Sequence, residues 1–275
     1  KGAPHRIRGQ APQPAEGSIA HDFEQIVQQF QVGGAVLARD DSVDDFDAAG
    51  GTDTARGAFA TAFDGAELHG ETRLARHVYG VIEDDDTAVA EYAPGQFEIN
   101  LKHRDDAVAA CDDATLLKRA IKSIAEQQDL LASFMAKPFV DQAGSGTHIH
   151  VSLLDKDGNN IFACTQDNPA PALKHAIAGL QQVSKDLMLM FAPHANSYRR
   201  FVLNAYVPLN DCWGFNNRTV AMRIPHSDEK NVRIEHRIAG ADANPYLVTA
   251  AVLAGILHGL DSKGDPGPAI VGNAY

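Results

Sequence analysis

The sequence predicts an α+β fold, on three observations. Segments of alternating polarity are interleaved with amphipathic helical runs and show no strict strand–helix repeat. The clearest of them, GSGTHIHVSLLD at 144–155, sets His148, His150 and Ser152 on one side and Ile149, Val151 and Leu153 on the other, as a half-buried strand does. The Gly, Asn and Asp run DGNN at 157–160 then supplies a hairpin turn.

Taken in order, Phe23, Ile26, Val27 and Phe30 make one short helical pattern after a cap near His21 or Asp22. Acidic runs at 40–47 and 83–86 read as solvated faces or loops. From residue 88 the patterning sharpens. EYAPGQFEINL at 91–101 alternates, with Pro94 and Gly95 marking a turn or bulge between short strands. Asp105 caps a helix through about Gln128, with Val108, Cys111, Leu117, Ile121 and Ile124 on one face. Leu131 to Phe134 is strand-like, and Leu173 to Phe191 reads as an amphipathic helix. Strand segments are expected around Phe201 to Val207, Thr219 to Ile224 and Asn231 to Ile238. A last helix opens with Asn244 as N-cap and Pro245 in first position.

Composition bounds the function. The 275 residues are 44% hydrophobic, enough to bury a core and to exclude disorder over the whole chain. The net charge of −12 argues against coating nucleic acid or binding anionic membranes. Charge is uneven: residues 1–90 hold 7 Lys+Arg and 16 Asp+Glu, and 91–275 hold 17 and 20. Cys111, Cys164 and Cys212 are widely spaced and odd in number, so neither a disulfide framework nor a zinc site is expected. The longest nearly apolar stretch, Tyr246 to Leu257, is short for a span of ~20 residues, and the expected location is the cytoplasm.

Two constellations carry chemistry. Glu91 and Glu98 stand at opposite ends of the Pro-Gly turn, and carboxylates that converge need a cation between them. His148 and His150 share a strand face, and Glu235 lies between Arg233 and Arg237. Carboxylates with one imidazole suit Mg²⁺ or Mn²⁺. Each residue alone reads more readily as a solvated or hydrogen-bonded side chain, and it is their convergence that would make a site. Between Asn196 and Arg237 six arginines (Arg199, Arg200, Arg218, Arg223, Arg233, Arg237) face four acids. Guanidinium forks hold carboxylates and phosphates bidentately, which points to an anionic substrate or nucleotide; structural ion pairs at a subunit interface are the other reading. No P-loop and no G-x-G-x-x-G after a strand occurs, so any ATP binds elsewhere.

Together the strings EYAPGQFEI (91–99), AKPF with GSGTHIHVSL (136–153), NSYRR (196–200), NNRTVAMRIP (216–225) and RIEHRIAGADANPYL (233–247) resemble the catalytic domain of the glutamine synthetase family. The resemblance implies the glutamine synthetase/guanidino kinase-like fold, an antiparallel sheet with packed helices. It assigns 88–275 to that domain and leaves 1–87 a segment that does not match the family's β-grasp domain. The implied chemistry is phosphorylation of the γ-carboxylate of glutamate by ATP and attack of an amine on the acyl phosphate. By resemblance Glu91 and Glu98 match ligands of one divalent metal, and His148 with Glu235 those of another. Arg200 and Arg237, helped by the backbone at Gly144, match the clamps on glutamate. Arg218 and Arg233 match residues facing the phosphates, and Arg223, Lys230, His150 and Ser152 match nucleotide contacts. A homo-oligomer, a double hexameric ring, is implied too.

Departures from the family narrow the amine. Ammonia-using members carry a glutamate in a Gly-Tyr-Glu-Ala-Pro loop, where this chain reads Asn204-Ala205-Tyr206-Val207-Pro208. The asparagine that they place before Gly-Ser-Gly is Ala143 here. A neutral phenol binds ammonium poorly, so the chain looks more like the branch that joins glutamate to polyamines or alkylamines, the γ-glutamylputrescine synthetase branch. Glutamine synthetase proper and a non-catalytic member serving as oligomer subunit or metabolite sensor are the alternatives. The second is suggested by the family's Glu-x-Glu strand, for which Asp22-Phe23-Glu24 is the nearest match in surroundings that read as helix. Family chains also continue beyond Tyr275, so the resemblance implies a piece of a longer protein or a shortened relative.

Overall fold

The computed structural model describes residues 25–38, 87–90, 93, 96–127 and 130–275, with 25–38 and 87–90 described by their backbone pairing. Eight strands form one sheet: β1 (Gln25–Ala38), β2 (Thr87–Ala90), β3 (Gln96–Asn100), β4 (Leu130–Ser133), β5 (Thr147–Leu154), β6 (Trp213–Phe215), β7 (Met222–Ile224) and β8 (Ile234–His236). Their order is β2-β3-β1-β5-β8-β7-β6, with β4 pairing β1. The helices are α1 (Ala107–Gln127), α2 (Pro171–Ser184), the short α3 (Met188–Phe191) and α4 (Ala195–Tyr198), and α5 (Pro245–Ser262).

Alternation on the central strands separates chemistry from core. Ile149, Val151 and Leu153 of β5 are each at most 1% exposed, as are Ile234 and His236 of β8 and Met222 of β7, whereas His148, His150 and Glu235 face the other way. Phe97 and Ile99 of β3 join the core side and leave Gln96 and Glu98 on the polar side. The core closes under α1, α2 and α5, with Cys111, Leu117, Ile121, Leu173, Ile177, Val252 and Ile256 buried.

The crossing of α2 and α5 is made by glycines. A Cβ on Gly179 would lie 2.2 Å from Gly255 O, and one on Gly259 would lie 2.1 Å from His175 O, so the helix backbones meet where any side chain would hold them apart. α5 starts as expected, with the Asn244 side chain accepting from the amides of Tyr246 (3.0 Å) and Leu247 (3.3 Å). It runs beyond the apolar stretch read from sequence, to Ser262. Among the described residues it is the helix long and apolar enough to cross a membrane by length and composition, and half of it is buried against the protein's own core.

Several expectations need correction. The short helical pattern at 23–30 falls in part on β1: Ile26 and Phe30 stand in register with Leu153 and Ile149, so their spacing serves a period of two as well as a helical one. The helix expected from Asp105 begins at Ala107, capped by Asp106 Oδ1, and Val108 in its first turn is 63% exposed. Leu173 to Phe191 is broken in two; Ser184 Oγ donates to Leu180 O, and residues 185–187 turn before α3 resumes. Residues 201–207 are loop, because Asn204 (φ 61°) and Tyr206 (φ 52°) take the left-handed conformation. The sheet is mixed, not antiparallel throughout, since β6 and β7 pair in parallel. A parallel neighbour usually needs a long crossover. Each of these strands has only three residues, so six linking residues, reaching about 20 Å when extended, return the chain along about 10 Å of strand.

Candidate active site

The polar sides of β3, β5 and β8, with the 200–207 loop, wall a cavity of about 470 Å³. Of the residues singled out from sequence, Glu98, Gly144, His148, Arg200, Tyr206, Arg218, Arg223, Glu235 and Arg237 line it, together with Ala143. His150, Ser152, Arg233 and Lys230 lie further along β5 and the approach to β8, outside its lining. Glu91 and the Asp22-Phe23-Glu24 string lie outside the described residues, as do the acidic runs at 40–47 and 83–86.

Glu235, fully buried, is the electrostatic centre. Its Oε2 accepts from Arg223 Nη1 at 2.8 Å, and its Oε1 accepts from Arg237 Nη1. Burial alone would raise its pKa; Arg237, His150 and Arg223 together outweigh that and hold it below the ordinary value. Register explains the pairing, because β7 and β8 set Arg223 opposite Glu235. His148 Nδ1 lies 3.4 Å from Glu235 Oε1 and 3.4 Å from Arg237 Nη1. Burial, then Arg237 and Arg200, push His148 well below the usual imidazole range, so it is a neutral ligand-type ring. His150 is lowered to about 4 by burial, and its Nδ1 accepts from Arg233 Nε at 3.1 Å.

Arg200 is 2% exposed, and its two bonded nitrogens both reach backbone: Nη1 donates to Ile238 O at 2.7 Å and Nη2 to Arg237 O at 3.0 Å. Burial and the Arg237 charge lower its pKa to about 10 against the pull of Asp242. The guanidinium therefore stays charged at neutral pH. Fixed to carbonyls, it keeps N–H donors for an anion in the cavity. Room for it comes from two glycines: a Cβ on Gly146 would meet Arg200 Nη2 at 2.8 Å, and one on Gly144 would meet Arg200 Cγ at 2.8 Å. Gly144 O accepts from Gln96 Nε2 at 3.0 Å. Tyr206, 58% exposed at the rim, gives its carbonyl to Arg237 Nη2 at 3.2 Å.

Sequence reasoning passed over Gln96, Asn204 and Asp242. Gln96 is 5% exposed and ties Ala93 to Gly144 and Ser145 through its side chain. Asp242 accepts from Ser197 Oγ at 2.5 Å and so braces α4, which carries the chain into Arg200. All three stood inside strings quoted from the sequence, Gln96 in EYAPGQFEI, Asn204 in Asn204-Ala205-Tyr206-Val207-Pro208 and Asp242 in RIEHRIAGADANPYL, without a role assigned to them.

Among the described residues no three His, Cys, Asp or Glu side chains converge as a metal site. Donors stand instead at two points, Glu98 on β3 and His148 with Glu235 on β5 and β8; the outer strands are about 14 Å apart across three strand spacings. Mg²⁺ commonly takes one or two protein carboxylates and completes its shell with water and phosphate, and this donor set fits that use once a guanidinium gives way on Glu235. β1 runs between the two points, with Gly33 in register with Glu98 and Gln31 with His148, so it brings no carboxylate to those positions.

Comparison with known proteins places the chain in a family. The glutamine synthetase catalytic-domain family matches residues 48–275. Gamma-glutamylputrescine synthetase PuuA of Escherichia coli K12 is 53% identical over 178 residues, 65% of this chain and 38% of that protein. Glutamate–isopropylamine ligase of a Pseudomonas species is 39% identical over 213 residues, 76% of this chain and 46% of that protein. Glutamine synthetase of Halobacterium salinarum is 36% identical over 187 residues, 67% of this chain and 41% of that protein. The chain thus spans less than half the length of these curated relatives. The solved GmaS/ADP complex superposes with a TM-score of 0.73 at 28% identity over 92% of this chain and 58% of that one, and apo GmaS gives 0.71. The chain belongs to the glutamine synthetase family, through its catalytic domain.

Proposed function

We propose that this chain is catalytic machinery of an ATP-dependent ligase that activates the γ-carboxylate of glutamate as an acyl phosphate and passes the acyl group to an organic amine, a polyamine or an alkylamine. The observation that carries the reading is the pair of buried guanidiniums, Arg200 and Arg237, on one wall of the cavity with the neutral Tyr206 at its rim. Arg200 and Arg237, with the Gly144 backbone, hold glutamate. Arg218 and Arg233 face the transferred phosphoryl group, and Arg223, Lys230, His150 and Ser152 contact the nucleotide. Mg²⁺ or Mn²⁺, held by Glu98 with Glu91 and by His148 with Glu235, would neutralise triphosphate charge when bound. A phenol in place of a carboxylate favours an amine that arrives by its own binding contacts over ammonium, which needs a counter-charge. Names among the relatives, a putrescine and an isopropylamine ligase, support the same choice. A homo-oligomeric ring and a cytoplasmic location belong to this reading.

The test is phosphate release from ATP with glutamate and Mg²⁺ or Mn²⁺, comparing ammonium, putrescine, spermidine and ethylamine, on this chain and on a form extended at both ends. An organic amine should exceed ammonium, and Tyr206→Glu should raise ammonium use. Ammonium as the best substrate of the unaltered protein would overturn the amine assignment.

A second reading, a non-catalytic member that binds without turnover, is favoured by two observations: Gly33 and Gln31 hold the register positions beside Glu98 and His148, and Glu235 has both oxygens on arginines. Calorimetry with ATP and Mn²⁺ separates the two. Binding with no turnover in either form supports this second reading, and binding coupled to turnover removes it.

A further inference from the structure

Arg200 and Arg237 are like charges in one buried wall, and the charge of Arg237 lowers the pKa of Arg200. Their spacing has to be held against that repulsion. Two segments meet at Arg200. Its backbone leaves α4, with Arg200 N donating to Ser197 O at 3.2 Å, and its guanidinium rests on the carbonyls of Ile238 and Arg237. The 237–242 segment thus carries Arg237 and also cradles the tip of Arg200. Ser197 and Asp242 tie the two segments together, because Ser197 Oγ donates to Asp242 Oδ2 at 2.5 Å. Each partner is fixed in its turn. Ser197, 1% exposed, accepts on the same oxygen from His194 N at 3.0 Å. On either side of Asp242, Ala241 N donates to Ser145 O at 3.0 Å, and Lys118 Nζ donates to Ala241 O (2.6 Å) and Ala243 O (3.4 Å).

Glycines make room for the carboxylate as they do for the arginine. Gly146 and Gly240 face each other across an antiparallel bridge, so side chains at the two positions would share one face. On that face a Cβ on Gly146 would meet Arg200 Nη2 at 2.8 Å, and one on Gly240 would meet Asp242 Oδ1 at 2.4 Å. Guanidinium and carboxylate therefore lie over the same glycine pair. Asp242 Oδ1 is buried there without a hydrogen-bond partner. A buried oxygen so placed is unfavourable unless nearby charge offsets it, and Arg200 and Lys118 both feel its attraction.

Resting on the ligase reading above, we propose that Ser197 and Asp242 are positioning residues for glutamate: their hydrogen bond sets the spacing of Arg200 and Arg237, and with it the affinity for the dicarboxylate. Neither residue lines the cavity, so both act through the arginines. Without the bond, repulsion between the guanidiniums moves α4 away from the 237–242 segment and misaligns the clamp. The nucleotide contacts assigned to His150, Ser152 and Lys230 lie on other segments and keep their places.

The experiment is calorimetry with Mn²⁺ present, titrating L-glutamate and, separately, ATP into this chain and its extended form. Ser197→Ala should weaken glutamate by about tenfold, the order that one hydrogen bond to a charged group supplies, and leave ATP within about twofold. Asp242→Asn keeps an acceptor for the hydroxyl and removes a charge that opposes the substrate anion, so it should bind glutamate at least as tightly as the unaltered protein. Asp242→Glu moves the acceptor by one methylene and should weaken glutamate by about fivefold. A Ser197→Ala loss below about twofold, or one shared equally by ATP, overturns the proposal. So does an Asp242→Asn variant that binds glutamate more weakly than Asp242→Glu, a comparison that decides alone if Ser197→Ala does not fold. No glutamate binding by the unaltered protein overturns it outright. Glutamyl hydroxamate formation from ATP, glutamate and hydroxylamine tests the ligase reading separately: if it is absent that reading fails, and the glutamate affinities of the variants still decide the role of the pair.

Discussion

Lowering the pH from 7 to 5 should cost this protein about 2 kcal/mol of stability through one residue that touches no substrate. His236 sits on the core side of β8, fully buried, stacked on Phe191 with ring centroids 4.6 Å apart, and neither ring nitrogen has a hydrogen-bond partner. Burial lowers its pKa to about 3, against an ordinary value near 6.5. A depressed folded pKa means that the unfolded chain takes up the proton first. The contribution is therefore intact above about pH 6.5 and is lost as pH falls toward 3. At ~1.4 kcal/mol per pH unit the loss is about 2 kcal/mol by pH 5 and about 3 kcal/mol by pH 4. Urea unfolding at pH 7, 6 and 5, on the protein and on His236→Leu, isolates the residue, because His148 and His150 titrate alike in both. The variant should lose about 2 kcal/mol less over that interval, whatever its offset at pH 7. Profiles parallel to within about 0.5 kcal/mol would refute the reasoning.

Two other changes probe packing and caps. Gly179→Ala puts a Cβ 2.2 Å from Gly255 O; the overpacking cost of about 1–3 kcal/mol should exceed the ~1 kcal/mol gained in helix propensity, and the urea midpoint should fall. Asn244→Ala removes the acceptor of the Tyr246 and Leu247 amides and should cost about 1 kcal/mol in the same assay, with no change in the denaturant slope.

What could be read from sequence was what local chemistry decides. The alternation of β5, the 157–160 turn with Gly158 at φ 78°, and the Asn244 cap all follow from residues close together in the chain. β1 misleads because Ile26 and Phe30 fit both periods, and pairing with β3 and β5 settles the matter from far away. The 201–207 loop was misread because its bend depends on the bond from Arg237, thirty-one residues on, to the Tyr206 carbonyl. In the site, the arginine cluster stood out by composition. That Arg223 would close on Glu235 did not, since that depends on how β7 and β8 align. Gln96 and Asp242 act through backbone and hydroxyl partners that no spacing rule reveals.

The two-sidedness of β5 has a consequence for how this protein can change. The strand is paired along both edges, with β1 and β8, and its odd-numbered residues are core while His148 and His150 belong to the chemistry. One residue inserted or deleted within 147–154 would turn Ile149 and Val151 toward the cavity and drive two imidazoles into hydrocarbon. Length variation thus belongs in the neighbouring 155–159 turn, where Asp155 and Asn159 close on each other, and stops short of Asn160, whose side chain donates to Lys230 O (3.0 Å) and Val232 O (2.7 Å).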